Sequence, residues 1–253
     1  MEIKEFNKQM IDAFYSRTAY DKEKVFVVLC EDLYAYALEH SPCEKHKMMI
    51  ENNKGIVSNL NGMSFPKRTL NDGYYSIISK RVFSYKDLTY LGTYIHEITH
   101  AHDFAIFARY IGASFAQEIY DSKFYNCSMG MISEFNARRN GFSYVREKAY
   151  SFKNQQEEVE QIFSKEIPLI IDRCEDIQNL DNLAQLFGRM AVLDLKTNEN
   201  ARNVFYDYFA GVFNQFTLDR VIKIYEILYK YKDKKDNISF CTDEIQQIID
   251  ELL

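Results

Sequence analysis

Glycine and proline are scarce, at nine and three in 253 residues. That poverty disfavours a loop-rich all-β sandwich or barrel and favours helices. Basic residues are not in excess. Lys and Arg number 31 against 37 Asp and Glu, a net charge of −6, which excludes a general binder of phosphate backbones. No apolar run approaches the ~18 residues of a membrane span; the longest candidate, Val25 to Cys30, is a buried helical or strand segment. The start, Met1-Glu2-Ile3-Lys4-Glu5, lacks the basic-then-apolar layout of a signal peptide. Cys-x-x-Cys is absent. The five cysteines (Cys30, Cys43, Cys127, Cys174, Cys241) are odd in number and widely spaced, so free thiols in a reducing, cytoplasmic compartment are expected. Against these absences stands a 47% hydrophobic content with 27% charged residues, enough for a packed core and too apolar for disorder as the main state.

The length allows one large domain or two small ones, and there is no internal repeat. In the first zone, residues 1 to about 45, Ile3, Phe6, Met10, Ile11 and Phe14 recur at helical spacing. Val25, Leu29, Leu33 and Leu38 suggest a second helix over Lys22 to Glu39, ended by Ser41-Pro42. The second zone, to about residue 150, is mixed. Asn61-Gly62 between Gly55–Leu60 and Met63–Phe65 predicts a small hairpin. Asn71-Asp72-Gly73 predicts a turn into a strand over Tyr74 to Ser79. Ser84 with Asp87 predicts a helix start, and Gly112 its end. A further helix is expected from about Ser128 towards Tyr150. The third zone, 151 to 253, reads as all helix, broken at Pro168. Helices are expected over Asn182–Lys196, Asn198–Phe216, Leu218–Lys232 and Asp243–Leu252, with a loop or frayed end in the charged run from Lys230 to Asp236. No Pro/Gly/Ser-rich linker separates Tyr150 from Gln155, so this zone is expected to pack on the rest.

Chemistry concentrates in His96-Glu97-Ile98-Thr99-His100. On a helix, residues four apart share a face, so His96 and His100 can direct two imidazoles at one metal ion. Glu97, rotated about 100° from His96, falls beside the ion, where a general base belongs. The opposite side carries Leu88, Leu91, Ile95, Ile98, Ala105 and Ile106, which buries the helix. Two core histidines bonded to backbone carbonyls are the competing reading. A catalytic zinc takes three protein ligands. Downstream, Gly130, Glu134, Ala137 and Gly141 form one helical stripe, bare except for the carboxylate. Interior glycine costs about 1 kcal/mol against alanine, so the stripe implies close approach to another helix, with Glu134 reaching across. Gly92, one turn before His96, answers it. A solvated Glu134 beside Arg138 is the bland alternative. Asp103 is a rival third ligand from the histidine helix itself; a role orienting an imidazole by hydrogen bond is preferred. His102 points away, as a core or rim histidine. His40, Cys43 and His46 have spacing that fits no zinc pattern, and Pro42 interrupts any helix there.

His96-Glu97-Ile98-Thr99-His100, followed about thirty residues later by Glu134-Phe135-Asn136-Ala137, resembles the zincin metallopeptidases with a glutamate third ligand, and most of all the ImmA/IrrE-type metallopeptidases of mobile elements. The likeness covers roughly residues 50 to 150. It implies a zincin-like core with a small β-sheet before the active-site helix; joined to the helical patterning elsewhere, the expected fold is α+β, mostly helical, with that core and the N-terminal helices over 1–150 and an all-helical extension over 151–253 that the likeness does not explain. It implies a cytoplasmic zinc peptidase using a metal-activated water, with Glu97 as base, His96, His100 and Glu134 as ligands and Asp103 behind them. The implied partner is a protein or peptide substrate such as a transcriptional repressor; nucleic acid and membrane are not expected. Two departures stand out: Thr99 occupies a position often glycine in the family, and Arg138 one that thermolysin-like enzymes fill with aspartate. The Tyr74–Ser79 strand is the expected edge for an extended substrate, and Tyr74, Tyr75, Tyr125 and Tyr144 are candidate oxyanion donors. The alternative function is a zinc-stabilised interaction module with little or no hydrolytic activity; the intact Glu97 weighs against it.

Overall fold

The computed structural model describes residues 3–84, 88–148, 180–193, 207, 209–211 and 213–252. These residues are mostly helical, with one small three-stranded sheet. Helix α1 (Ile3–Tyr15) follows the predicted spacing, burying Met10 and Phe14. The expected helix over Lys22 to Glu39 is instead strand β1 (Val25–Cys30) and helix α2 (Leu33–Glu39). Val25, Val27 and Val28 are β-branched and lose side-chain freedom in a helix. The strand's backbone also finds partners in β3 that a lone helix would not use. Asp32 starts α2 by accepting the Ala35 N–H at 2.9 Å.

The hairpin expected at Asn61-Gly62 does not form. Gly55 lies in a helical turn, α4 (Lys54–Val57), which follows α3 (Glu44–Asn52). Strand β2 (Gly62–Pro66) pairs antiparallel with β3 (Tyr74–Ser79), from Gly62 opposite Ile78 to Pro66 opposite Tyr74. The connection closes through Gly73 at φ 104°, where a Cβ would meet the Lys24 carbonyl at 2.2 Å. Strand β1 joins the other side of β3 in parallel, so the order is β1-β3-β2. Strand β3 is therefore central, with both edges paired, and cannot accept an added strand. Among the described residues the open edges belong to β1 and β2.

Helix α5 (Thr89–Ile111) packs under β2 and β3 on one side and against α7 (Gly130–Lys148) on the other. It starts later than the Ser84 signal implied: the Ser84 hydroxyl bonds the Arg81 carbonyl in a preceding 3-10 turn. It ends as expected, at Gly112 with φ 70°. Helix α6 (Ala116–Asp121) and an irregular turn over Tyr125–Met129 lead into α7. Helix α8 (Leu180–Leu193) lies along α7. Helices α9 (Gln215–Tyr231) and α10 (Asn237–Leu252) pack on each other, and α10 also meets α5 and α7. Helix α10 begins earlier than Asp243 because Asn237, Ile238 and Cys241 are buried. Phe107, Phe135, Phe187, Ile224 and Ile245, one from each of α5, α7, α8, α9 and α10, share one apolar cluster. The Pro168 break, Cys174 and most of the Asn198–Phe216 expectation lie outside the described residues. Among the described residues no helix is long and apolar enough to cross a membrane.

Two histidines are structural. The His102 ring is held by the Ile98 carbonyl at 2.8 Å and the Tyr15 hydroxyl at 2.7 Å; His46 meets the Ser41 hydroxyl at 3.0 Å. Burial pushes each down to about 4 from 6.5. A depressed folded-state value means stability present above pH 6.5 and lost as pH falls towards 4, on the order of 3 kcal/mol per group. The imidazole NMR signals of these two rings should not titrate between about pH 7.5 and 5.5; a transition near the ordinary 6.5 would show that they are not buried neutral.

Candidate metal centre

Helix α5 places His96 and His100 one turn apart, and their Nε2 atoms lie 3.0 Å from each other. Glu134 of α7 reaches both: Oε1 stands 3.3 Å from His100 Nε2 and Oε2 3.6 Å from His96 Nε2. One ligand atom from each residue lies within 4.8 Å of the others, and among the described residues this is the one such group. The approach depends on bare backbone. A Cβ at Gly141 would stand 2.8 Å from the Gly92 carbonyl, and one at Gly92 would stand 2.9 Å from Val145 Cγ2. The glycine stripe thus does what its spacing implied, bringing α7 against α5. His40 is stacked on Tyr36 and belongs to no such cluster.

The donor set fits a cation. Glu134 Oε2 is buried without a hydrogen-bond partner, an arrangement that costs free energy unless a counter-charge fills it. Burial alone would raise Glu134, but His100, then His96 and Arg138, hold it down at about 2. Burial, reinforced by His100, drives His96 well below its ordinary value, so it is neutral. Burial also opposes charge on His100, but the Glu134 carboxylate, with Glu97 and Asp103 behind it, outweighs burial and lifts His100 to about 9. Ligation requires neutral imidazole, so a metal entering at neutral pH must displace the His100 proton.

Glu97 lies beside this group, rotated around α5 as a general base must be. Ser64 of β2 donates to Glu97 Oε2 at 3.0 Å and to the Glu97 carbonyl at 2.7 Å. Gly62 makes room: a Cβ there would stand 2.6 Å from Glu97 Cγ. Burial raises Glu97 to about 7, which allows it both to take and to return a proton near neutrality.

No family model, curated protein or solved structure matches this chain. What the site can do follows from its own atoms. His96, His100, Glu97 and Glu134 line one cleft of about 1260 Å³, walled by Gly62, Met63 and Ser64 of β2 on one side and by α7 and α8 on another. That is more room than most small-molecule pockets offer. Of the four tyrosines considered as oxyanion donors, Tyr125 lines the cleft; Tyr74 and Tyr144 are buried in the core.

Asp103 sits one group further out than expected. It bonds no imidazole directly. His100 Nδ1 meets the Ser133 hydroxyl at 2.7 Å, and Ser133 in turn bonds the Asp103 carboxylate. Tyr20 donates to Asp103 at 2.8 Å and the Asn136 amide at 3.3 Å. Asn136 and Asn237, at the start of α10, then exchange side-chain bonds of 2.9 and 2.6 Å. Nothing local in the sequence marks Ser64, Ser133, Tyr20 or Asn237 as partners of the site. Their hydrogen bonds join residues far apart in the chain. Asn237→Ala leaves the Asn136 amide short of a buried partner, and Ser133→Ala frees the His100 ring. Ser133→Ala should weaken metal affinity by about 10–100-fold, as loss of an outer partner of a ligating histidine does, and Asn237→Ala, three groups removed, should weaken it less. Competition with a chromophoric chelator checks this; wild-type affinity in both variants would make the network purely structural.

Proposed function

We propose that the chain is a zinc-dependent peptidase of the zincin type, with His96, His100 and Glu134 as ligands and Glu97 as general base. The observation that carries the reading is the Glu134 carboxylate, which turns one oxygen to each of two facing imidazole nitrogens and keeps Oε2 buried without a hydrogen bond, with a second carboxyl poised near neutrality beside them. Two imidazoles and one carboxylate suit zinc and leave a position open. A bound ion of this kind supplies Lewis acidity to the water and to the scissile carbonyl. The chain's own residues do the rest. Ser133 and the Ala137 backbone orient the two rings by hydrogen bonds. Glu97 Oε accepts the proton released by the attacking water and returns it to the leaving amine. Ser64 steadies that carboxylate. Strand β2, an open edge on the cleft wall, replaces β3 as the strand to which an extended peptide adds. Residues 1–150 then form the peptidase core, which from about residue 50 onward is most like the ImmA/IrrE-type enzymes, and the substrate is a protein or peptide such as a repressor. The four free cysteines among the described residues accord with a reducing, cytoplasmic setting.

The test is an unbiased one. Zinc-loaded protein is incubated with a complex peptide mixture, and new termini are read by mass spectrometry. Cleavage should appear with wild type, stop with chelator, return with zinc and be missing in Glu97→Gln. A wild-type pattern indistinguishable from that of Glu97→Gln would leave a zinc-stabilised interaction module as the better description.

A further inference from the structure

Arg138 follows Glu134 by one helical turn, so both project from the same side of α7 into the cleft. Helix α8 closes on α7 at this level. A Cβ at Gly188 would stand 2.6 Å from the Phe135 carbonyl and 3.0 Å from Arg138 Cβ, so the bare residue lets the two backbones approach. The turns around Gly188 carry Gln185 and Arg189, and both also line the cleft. Arg138 donates to Gln185 Oε1, a neutral partner, and its Nε is buried with no hydrogen-bond partner. Glu134 and Glu97 favour its charge through space, but both Glu134 oxygens face the histidines and Glu97 is bonded by Ser64, which leaves the Nε–H without an acceptor. Burial, with Arg138 as the second cause, pushes Arg189 down to about 10. Two guanidiniums in one half-enclosed cleft repel each other, and a desolvated guanidinium is costly without an anion. Its planar fork matches a carboxylate in bidentate fashion.

We infer that Arg138 and Arg189 form an anion subsite of the cleft, which selects substrates with a carboxylate close to the scissile bond. That carboxylate is an Asp or Glu side chain or the substrate's own C-terminus. The inference rests on the peptidase reading. It extends that reading from peptides in general to acidic or C-terminal ones. The cleft holds fixed positive charge where an uncharged subsite would serve any peptide, and a neutral competitor gains less from that charge than a carboxylate does.

Three dipeptide hydroxamates test it by calorimetry on the zinc-loaded full chain. One carries a glutamate side chain and an amidated end, one a glutamine side chain and a free C-terminal carboxylate, and one a glutamine side chain with an amidated end. At least one carboxylate probe should bind about 10–100-fold tighter than the uncharged one, the range of a charge-assisted hydrogen bond. Which probe wins identifies the source of the carboxylate. The advantage should drop to about 3-fold or less in Arg138→Gln, shrink in Arg189→Gln and narrow with added salt. Equal affinities for all three probes in wild type overturn the subsite and leave the peptidase reading standing. So does an advantage unaltered in both variants. No binding of any hydroxamate removes the metal centre and the subsite together. The wild-type comparison and Arg189→Gln decide the matter even if Arg138→Gln does not fold.

Discussion

Glu134→Ala should lose zinc affinity by well over the ~100-fold that an outer partner is worth and should abolish hydrolysis. In the proposed centre the residue supplies one of three ligand atoms, and its carboxylate stands against both histidines. Glu134→Asp is the more telling variant. One methylene shorter, it should keep some metal but set it out of place, and catalytic geometry tolerates only ~0.5 Å. Asp103→Ala should do less than either, because Asp103 acts on His100 through Ser133 and is otherwise engaged by Tyr20 and Asn136. Chelator competition and peptide cleavage rank the three. Metal lost in Asp103→Ala but kept in Glu134→Ala would transfer the ligand role to Asp103 and end the comparison with glutamate-ligand zincins.

Glu97→Gln should retain its zinc and lose about 10²–10⁴-fold in hydrolytic rate, the worth of a positioned base. The amide keeps the shape and the Ser64 hydrogen bond, so the fold is unaffected, but it cannot accept a proton. The same carboxyl sets a pH dependence. Burial raises it to about 7 in the metal-free protein, and a neighbouring cation favours the ionised form. The acid limb of hydrolysis should therefore fall at or below pH 7, with rate lost as pH drops and Glu97 takes up a proton. A Glu97→Gln rate within about 3-fold of wild type would assign the base elsewhere.

Much of this centre was legible because its information is local. His96, Glu97 and His100 are spaced by one helical turn, and Gly130, Glu134, Ala137 and Gly141 mark a face that needs a close neighbour. The strand Tyr74–Ser79 was equally legible from its Tyr and Ile content. Strand β1 was not, because Val25, Leu29 and Leu33 satisfy a helical period by coincidence; pairing with β3 across nearly fifty residues decides it. Asn61-Gly62 is a good hairpin dipeptide, but Gly62 serves a different need, clearance for Glu97. The β3 edge was misread for the same reason: which strand is central is a property of the sheet and not of any one segment. Ser64, Tyr20 and Asn237 reach the site over separations of 33, 83 and 101 residues. Arg138 stood out only as a departure from a pattern. The partner that makes it informative, Arg189, sits on a helix that the sequence alone did not connect to any chemistry.

The central claim is that His96, His100 and Glu134 hold a zinc ion, and elemental analysis of the full chain purified without chelators tests it most directly. About one zinc per chain is expected, lost in His96→Ala and in His100→Ala. Reloading the metal-free protein at neutral pH should release the proton that His100 carries there. Protein that contains no metal, or that holds the same amount after either histidine is removed, would contradict the account.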